Sequence, residues 1–180
     1  MAEINLLGLS GSLRSGSTNT KLLVEAARLF GPCKYETADI RFPLFDGDEE
    51  AATGVPAAVQ KVSDQIAAAD GVIISTPEYN KGPSGALKNA LDWISRTQGS
   101  PWAGKPVAVM SAAAGRAGGE RAQMVLRGFM VPFRPRILQG PEIHLARCSD
   151  QFDNDGRLTS EMYIRDLTAL MKSLADEIAR

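Results

Sequence analysis

The sequence has little cysteine, almost no histidine and no excess of charge of either sign. Its 180 residues include two cysteines, Cys33 and Cys148, and one histidine, His144. Neither cysteine has metal-ligand spacing or a histidine pattern beside it, which argues against zinc and iron–sulfur sites and leaves two inert thiols. Twenty basic residues against twenty-one acidic ones give a formal net charge of -1, so nothing in the charge attracts nucleic acid or an anionic membrane. No segment approaches the eighteen or so uninterrupted apolar residues of a membrane span. The start, Met1-Ala2-Glu3, lacks the basic and apolar regions of a signal peptide. A cytoplasmic protein is expected. There are no repeats, low-complexity tracts or linkers, and 44% hydrophobic residues suffice for one core, so residues 1–180 read as a single domain.

Two familiar phosphate-loop signatures are also missing, although their surroundings are present. The stretch Gly8-Leu9-Ser10-Gly11-Ser12-Leu13-Arg14-Ser15-Gly16-Ser17-Thr18-Asn19 follows an apolar run, Ile4 to Leu9, that reads as a buried strand. It leads into Leu22, Leu23, Ala26, Leu29 and Phe30, one face of a helix. Gly11 to Gly16 has the spacing of a nucleotide-triphosphate loop, but Ser17 stands where the lysine belongs. The dinucleotide pattern G-x-G-x-x-G fails after Gly8. What remains is a strand-to-helix loop rich in hydroxyls, with one arginine and a helix N-terminus, suited to a terminal phosphomonoester. Helix capping accounts for one of Ser17, Thr18 and Asn19, not for the whole run.

Beyond this loop, strand and helix signals alternate. Lys34 to Ile40 alternates polar and apolar residues, as a half-exposed edge strand does. Phe42 to Thr53 reads as a loop. Pro56 opens a helix with Val59, Val62 and Ile66 inward, ended by Asp70-Gly71. Val72 to Ile74 is a short apolar strand, and the next helix carries Leu87, Ala90, Leu91 and Ile94 on one face. Pro106 to Met110 supplies a fourth strand, and Ala122, Val125, Leu126 and Phe129 are expected inward on the helix after it. Arg136 to Leu138 is a fifth strand, and Leu167, Leu170, Met171, Leu174 and Ile178 mark a C-terminal helix. This pattern means a five-stranded parallel sheet with helices on both faces, and the edge-like second strand fits the flavodoxin-like order 2-1-3-4-5.

In that order the loops after strands one, three and four converge. The second of them, Pro77-Glu78-Tyr79-Asn80-Lys81-Gly82-Pro83-Ser84-Gly85, is rich in turn formers and polar groups, and reads equally as an ordinary turn into a helix capped by Ser84. The third, Ser111 to Gly119, has no large side chain before Arg116, so its backbone N–H groups can approach a flat ligand edge. A planar heterocycle with a phosphate tail fits the cluster, and FMN fits that description.

With these residues the chain resembles the NADPH-dependent FMN reductases, a flavodoxin-like family with quinone, chromate and ferric reductases. The resemblance rests on Gly11-Ser12-Leu13-Arg14 with Ser17 and Asn19, on Pro77-Glu78-Tyr79-Asn80, on Gly85 with Leu87-Lys88-Asn89-Ala90-Leu91-Asp92-Trp93, and on Gly115 with Gly118-Gly119. It implies that Ser12, Arg14, Ser17, Thr18 and Asn19 hold the FMN phosphate. Pro77, Glu78, Tyr79 and Asn80 would line the ribityl chain and flavin ring, and Ser111, Ala112 and Gly115 would border the ring's pyrimidine end. The family usually has proline where Ser84 stands, and Ala113 and Ala114 replace positions that are often serine or larger, which bears on substrate preference.

The activity implied is hydride transfer from NADPH or NADH to bound FMN and onward to a quinone, chromate, ferric complex or free flavin. It needs no metal and no covalent catalytic residue. Arg96, Lys81 and Arg116 are candidates for the nicotinamide cofactor's phosphates, while His144, placed beyond the sheet, reads as structural. The resemblance also implies a homodimer or homotetramer. Three other readings are a flavodoxin-type FMN electron carrier, which would be more acidic, a dehydrogenase with Asp39 on a ribose, and an interaction domain with Trp93, Trp102 and Phe129 as a sticky surface.

Overall fold

The computed structural model describes residues 3–180; Met1 and Ala2, which belong to the start considered for signal-peptide character, lie outside the described residues. Six strands and six helices alternate along most of the chain: β1 (Asn5–Ser10), α1 (Thr18–Phe30), β2 (Lys34–Ala38), α2 (Gly47–Thr53), α3 (Ala57–Ala68), β3 (Gly71–Thr76), α4 (Gly85–Ile94), β4 (Pro106–Ala112), α5 (Glu120–Met130), β5 (Arg136–Ile137), β6 (Ile143–Leu145) and α6 (Glu161–Ile178). The strands are parallel in the order β2-β1-β3-β4-β5, the flavodoxin-like arrangement expected from the sequence.

The strand sequences explain why both faces are covered. In β1, β3 and β4 alternate residues point to opposite sides. Leu7, Leu9, Val72, Ile74, Val107 and Val109 meet α3, α4 and α5 in one core cluster. Leu6, Ile73, Ala108 and Met110 meet Leu22, Leu23 and Ala26 of α1 and Leu167, Met171 and Leu174 of α6 in the other. Polar and apolar residues alternate in β2, the sheet edge, and in the short β6, where His144 stands between buried Ile143 and Leu145.

The structure corrects five sequence expectations. Phe42 to Thr53 is not all loop: Asp46 accepts from the Asp48 N–H at 2.8 Å, and Asp48, Glu49 and Glu50 favour the positive end of α2. That helix buries none of its residues, so it has no apolar period to read. β4 continues past Met110 through Ser111 and Ala112, because a sixth strand, β6, pairs with its upper half. His144 is therefore part of the sheet, opposite Ser111, and not beyond it. On α5, Val125 faces outward and Phe129 is half-buried, while Gln123 is buried in their place. Trp93 and Trp102 are core residues, 2% and 1% exposed, and form no sticky surface.

Trp93 also anchors the segment between β2 and α2. Its Nε1 donates to Pro43 O at 2.8 Å, Asn89 Nδ2 donates to the same carbonyl at 2.9 Å, and Phe45 packs edge-on against its ring at 5.0 Å. Arg41 Nη2 then reaches Leu13 O at 2.8 Å and ties this segment to the first loop.

On the opposite face, the fully buried Glu25 of α1 accepts from Arg28 Nε at 2.9 Å, Arg157 Nη1 at 2.8 Å and the Leu158 N–H at 3.2 Å. Burial alone would raise this carboxyl, but Arg28, Arg157 and the Leu158 amide outweigh it and hold it below the usual carboxylate range. Because the folded value is depressed, the stabilisation is complete above the unfolded value near 4.5 and is lost as pH falls through the lower folded value. Glu25→Gln should cost about 2 kcal/mol in urea unfolding at pH 7. The gap between wild type and variant should narrow only below about pH 4.5.

Candidate flavin cleft

Three loops leave the carboxyl ends of β1, β3 and β4, and buried hydrogen bonds hold them together. Gly11 donates its N–H to Ser75 O at 2.8 Å and accepts at its carbonyl from Ser84 Oγ. A Cβ on Gly11 would stand 3.1 Å from Thr76 Oγ1 and 3.2 Å from Pro77 Cδ, so any larger residue there would press the first loop against the second by a few tenths of an ångström. Ser84 both caps α4 through the Leu87 N–H and bridges the two loops.

Asn19 supplies the third tie. Its Oδ1 accepts from Ser75 Oγ at 2.8 Å and from the Ala112 N–H at 3.0 Å, and its Nδ2 donates to Ala112 O at 3.0 Å. One side chain on α1 thus joins β3 to β4 beneath the loops. Ser17 caps α1 by accepting from the Thr20 N–H at 3.2 Å, which leaves its own hydroxyl proton free. Thr18 Oγ1 donates to Cys148 Sγ at 3.2 Å.

The loops enclose a cleft of about 530 Å³, within the usual size range for small-molecule sites. Of the residues expected at the ligand, Ser12, Arg14, Ser17, Thr18, Asn19, Pro77, Glu78, Tyr79, Ala112 and Gly115 line it. Two do not. Asn80 occupies, with Lys81, the tight turn closed by hydrogen bonds between Tyr79 and Gly82, both turn residues having positive φ. Ser111 is fully buried beneath the third loop, donating to Gly118 O at 2.7 Å.

The cleft's electrostatics favour an anion at one end. Among the described residues, the backbone N–H groups of Arg14, Ser15, Gly16, Thr18 and Asn19 have no protein acceptor, and they cluster at the N-terminus of α1. Arg14 is the one cation in the lining, and Glu78, the one anion, is engaged elsewhere: its Oε2 accepts from Ala122 N–H at 3.2 Å in the first turn of α5. At the other end the wall is Ala112, Ala113, Ala114, Gly115, Ala117, Gly118 and Gly119, which offers backbone and no large side chain. Gly118 has φ +60°, and a Cβ there would meet His144 O at 2.2 Å, so this wall is packed directly on β6. The donor set suits a phosphate joined to a flat, acceptor-bearing ring, and FMN fits it.

Sequence reasoning missed Cys148 and Ser149, which line the cleft from the turn after β6. No local pattern marks them; the Arg147 N–H to Gly115 O and Cys148 N–H to Ala113 O bonds that bring them there follow from β6 itself. Arg96, a nicotinamide-phosphate candidate, donates to both Glu50 oxygens at 2.9 Å, and that pairing raises its pKa. Lys81 and Arg116 are exposed within the second and third loops, and neither lines the cleft. Asp39 pairs with Arg41 at the end of β2. A second cavity of about 530 Å³ lies between α4 and the end of α5, around Trp102, Phe129 and Phe133, with neither glycine loop nor helix N-terminus in its walls. No helix among the described residues is long and apolar enough to cross a membrane.

Removing the Asn19 amide should loosen all three loops at once. Asn19→Ala leaves Ser75 Oγ and both Ala112 backbone groups unpaired in a buried place, at a cost of about 3 kcal/mol in chemical unfolding. Unfolding at wild-type denaturant concentration would show that the loops are held without it.

The family model for NADPH-dependent FMN reductases matches residues 4–148. An NAD(P)H-dependent FMN reductase of Pseudomonas aeruginosa is 45% identical over 161 residues, covering 88% of this chain and 86% of its own. A quinone reductase of Escherichia coli K12 is 35% identical over 185 residues, covering 99% and 97%. Among solved structures, the flavoenzyme NAD(P)H:acceptor oxidoreductase FerB of Paracoccus denitrificans superposes with a TM-score of 0.87 at 30% identity, covering 98% of this chain and 97% of its own.

Proposed function

The chain belongs to the NADPH-dependent FMN reductase family, and on that premise we propose which residues hold FMN and which acceptors it serves. The protein is an NAD(P)H-dependent FMN/quinone reductase with FMN as cofactor and a small molecule as electron acceptor. Bound FMN supplies hydride acceptance from a reduced nicotinamide and two-electron delivery to the second substrate. The chain's own task is to bind, orient and leave one face open.

The observation that carries the assignment is the set of unpartnered N–H groups at the N-terminus of α1, within a cleft walled by three loops. The phosphate belongs at that end. Ser12 and Ser17 give hydroxyl protons, Arg14 gives a charge-assisted contact, and Thr18 and Asn19 give backbone N–H groups, since their side chains are committed to Cys148, Ser75 and Ala112. Pro77, Glu78 and Tyr79 flank the ribityl chain and ring; Asn80 shapes that wall through its turn. Ala112 and Gly115 border the pyrimidine end, with Ser111 supporting from below. No side chain needs to act as nucleophile or metal ligand.

Quinones are the acceptor class we put first, because a wall of small residues and backbone leaves room above a flat ring; chromate, ferric complexes and free flavin remain acceptors to be tried alongside. We further propose that the protein works in the cytoplasm, where NAD(P)H is available and its two free thiols stay reduced. A homodimer or homotetramer is the proposed assembly, with the exposed Met124, Val125 and Val131 of α5 and its end as the contact face. A single 19 kDa species in sedimentation would contradict it.

The absorption spectrum of purified protein, mixed with FMN and freed of excess, is the primary test. A bound flavin band should bleach with NADH or NADPH under anaerobic conditions and return on adding a quinone. A band that neither nucleotide bleaches would point to a carrier reduced by a partner protein. Arg14→Ala should weaken FMN binding by about 1.5 to 3 kcal/mol, the range for charge-assisted hydrogen bonds; unchanged affinity would assign the phosphate to backbone groups alone.

A further inference from the structure

Gln123 is fully buried in the first turns of α5, a polar residue in a position where the helix otherwise presents Ala122 and Leu126 to the core. Its Nε2 donates to Ser111 Oγ at 2.8 Å and to Ile143 O at 2.7 Å. A hydroxyl oxygen that accepts a hydrogen bond still has a proton to give, and Ser111 gives it to Gly118 O at 2.7 Å. The Gly118 carbonyl is thereby held toward the interior. In a planar trans peptide the C=O and the following N–H point in opposite directions. The Gly119 N–H is therefore directed away from Ser111, on the side where Gly119 lines the cleft, and it has no protein acceptor among the described residues. The peptide also rests directly on the serine, since a Cβ on Gly119 would lie 2.6 Å from Ser111 Cβ.

We propose that Ser111 and Gln123 are positioning residues that lock the Gly118–Gly119 peptide so that its N–H is presented to the FMN ring, favouring the reduced over the oxidised cofactor. The proposal rests on the reading of this cleft as the FMN site. Neither side chain touches the cleft; both act through one peptide plane. A donor fixed in advance against an edge where negative charge grows stabilises the charged state more than the neutral one. With the Ser111 hydroxyl removed, the same peptide could turn and offer its carbonyl oxygen, which an electron-rich edge repels. Gln123 sets the direction of the whole chain of bonds, because by donating to Ser111 Oγ it leaves the serine proton only Gly118 O to serve.

The test measures oxidised-FMN affinity by flavin fluorescence and bound-flavin midpoint potential by dye equilibration in Ser111→Ala, Gln123→Met and Ser111→Thr. Ser111→Ala should bind oxidised FMN nearly as wild type does but reduced FMN about tenfold more weakly, which lowers the two-electron potential by about 30 mV. Gln123→Met should shift it less in the same direction, and Ser111→Thr, which keeps the hydroxyl, should restore it. A folded, FMN-binding Ser111→Ala with wild-type potential would overturn the proposal. Wild-type protein labelled with nitrogen-15 gives a readout free of any folding defect: the Gly119 amide should move downfield when FMN binds and again on reduction. Bound FMN with an unaffected Gly119 amide would overturn this proposal alone, whereas wild-type protein that retains no FMN would overturn the reading of the cleft with it.

Discussion

One buried carboxamide keeps three loops in register. Parallel strands are neighbours only as far as their last ladder bond, and beyond it each chain turns away to its own helix, so the ends of β1, β3 and β4 would move independently without cross-links. Asn19 joins α1 to Ser75 and Ala112, and Gly11 and Ser84 join the first loop to the second. All of these groups are buried, where a bond left unmade costs about 1 to 3 kcal/mol. The loops therefore cannot separate singly. Donors stand in place before a ligand arrives, and the ordering cost that would otherwise fall on binding is met in folding.

The helices that follow the three loops, α1, α4 and α5, all begin at this end of the sheet, and the chain treats the first turns of α1 and α5 differently. The first turn of α5 receives the Glu78 carboxylate at Ala122 N–H, a cap that Gly119 has no side chain to supply. The first turn of α1 receives only the Ser17 hydroxyl oxygen at Thr20, which keeps its N1 and N2 amides open. A dianion entering the cleft meets an unneutralised helix end at α1 and a neutralised one at α5. The proposed phosphate position follows from that difference, with Arg14 adding charge at the same end.

The sequence made the sheet order and most of the cleft legible because the signals there are local. Alternating apolar strands and amphipathic helices carry their own periods, and a loop of glycine and hydroxyl residues between a strand and a helix carries its chemistry in a dozen consecutive positions. What stayed hidden depends on contacts distant in the chain. α2 has no buried face, so only its cap and acidic first turn announce it. β6 is three residues long and is defined by pairing with Met110, Ser111 and Ala112, thirty-odd positions earlier. Cys148 and Ser149 reach the cleft only because β6 does. Ser111 illustrates the reverse error: a polar residue in a ligand loop reads as a ligand contact, yet once β4 is extended it points inward at Gly118.

On the proposed placement of FMN, the contrast between the two ends of the cleft follows from what each end would bind. A phosphate is a compact charge with many lone pairs, and mobile hydroxyls with an arginine can surround it from several directions. A flat ring that must also admit a nicotinamide and then an acceptor on the same face leaves no room for side chains above it. Backbone N–H groups solve that problem, since they lie in the plane of the wall and cannot swing into the opening by changing rotamer. They can, however, be turned with their peptide, so the orientation of each must be fixed from behind. On the proposed placement of the ring, small residues at that end of the cleft call for a buried polar side chain beneath them, and Gln123, fully buried and bonded to Ser111, is in position to supply it.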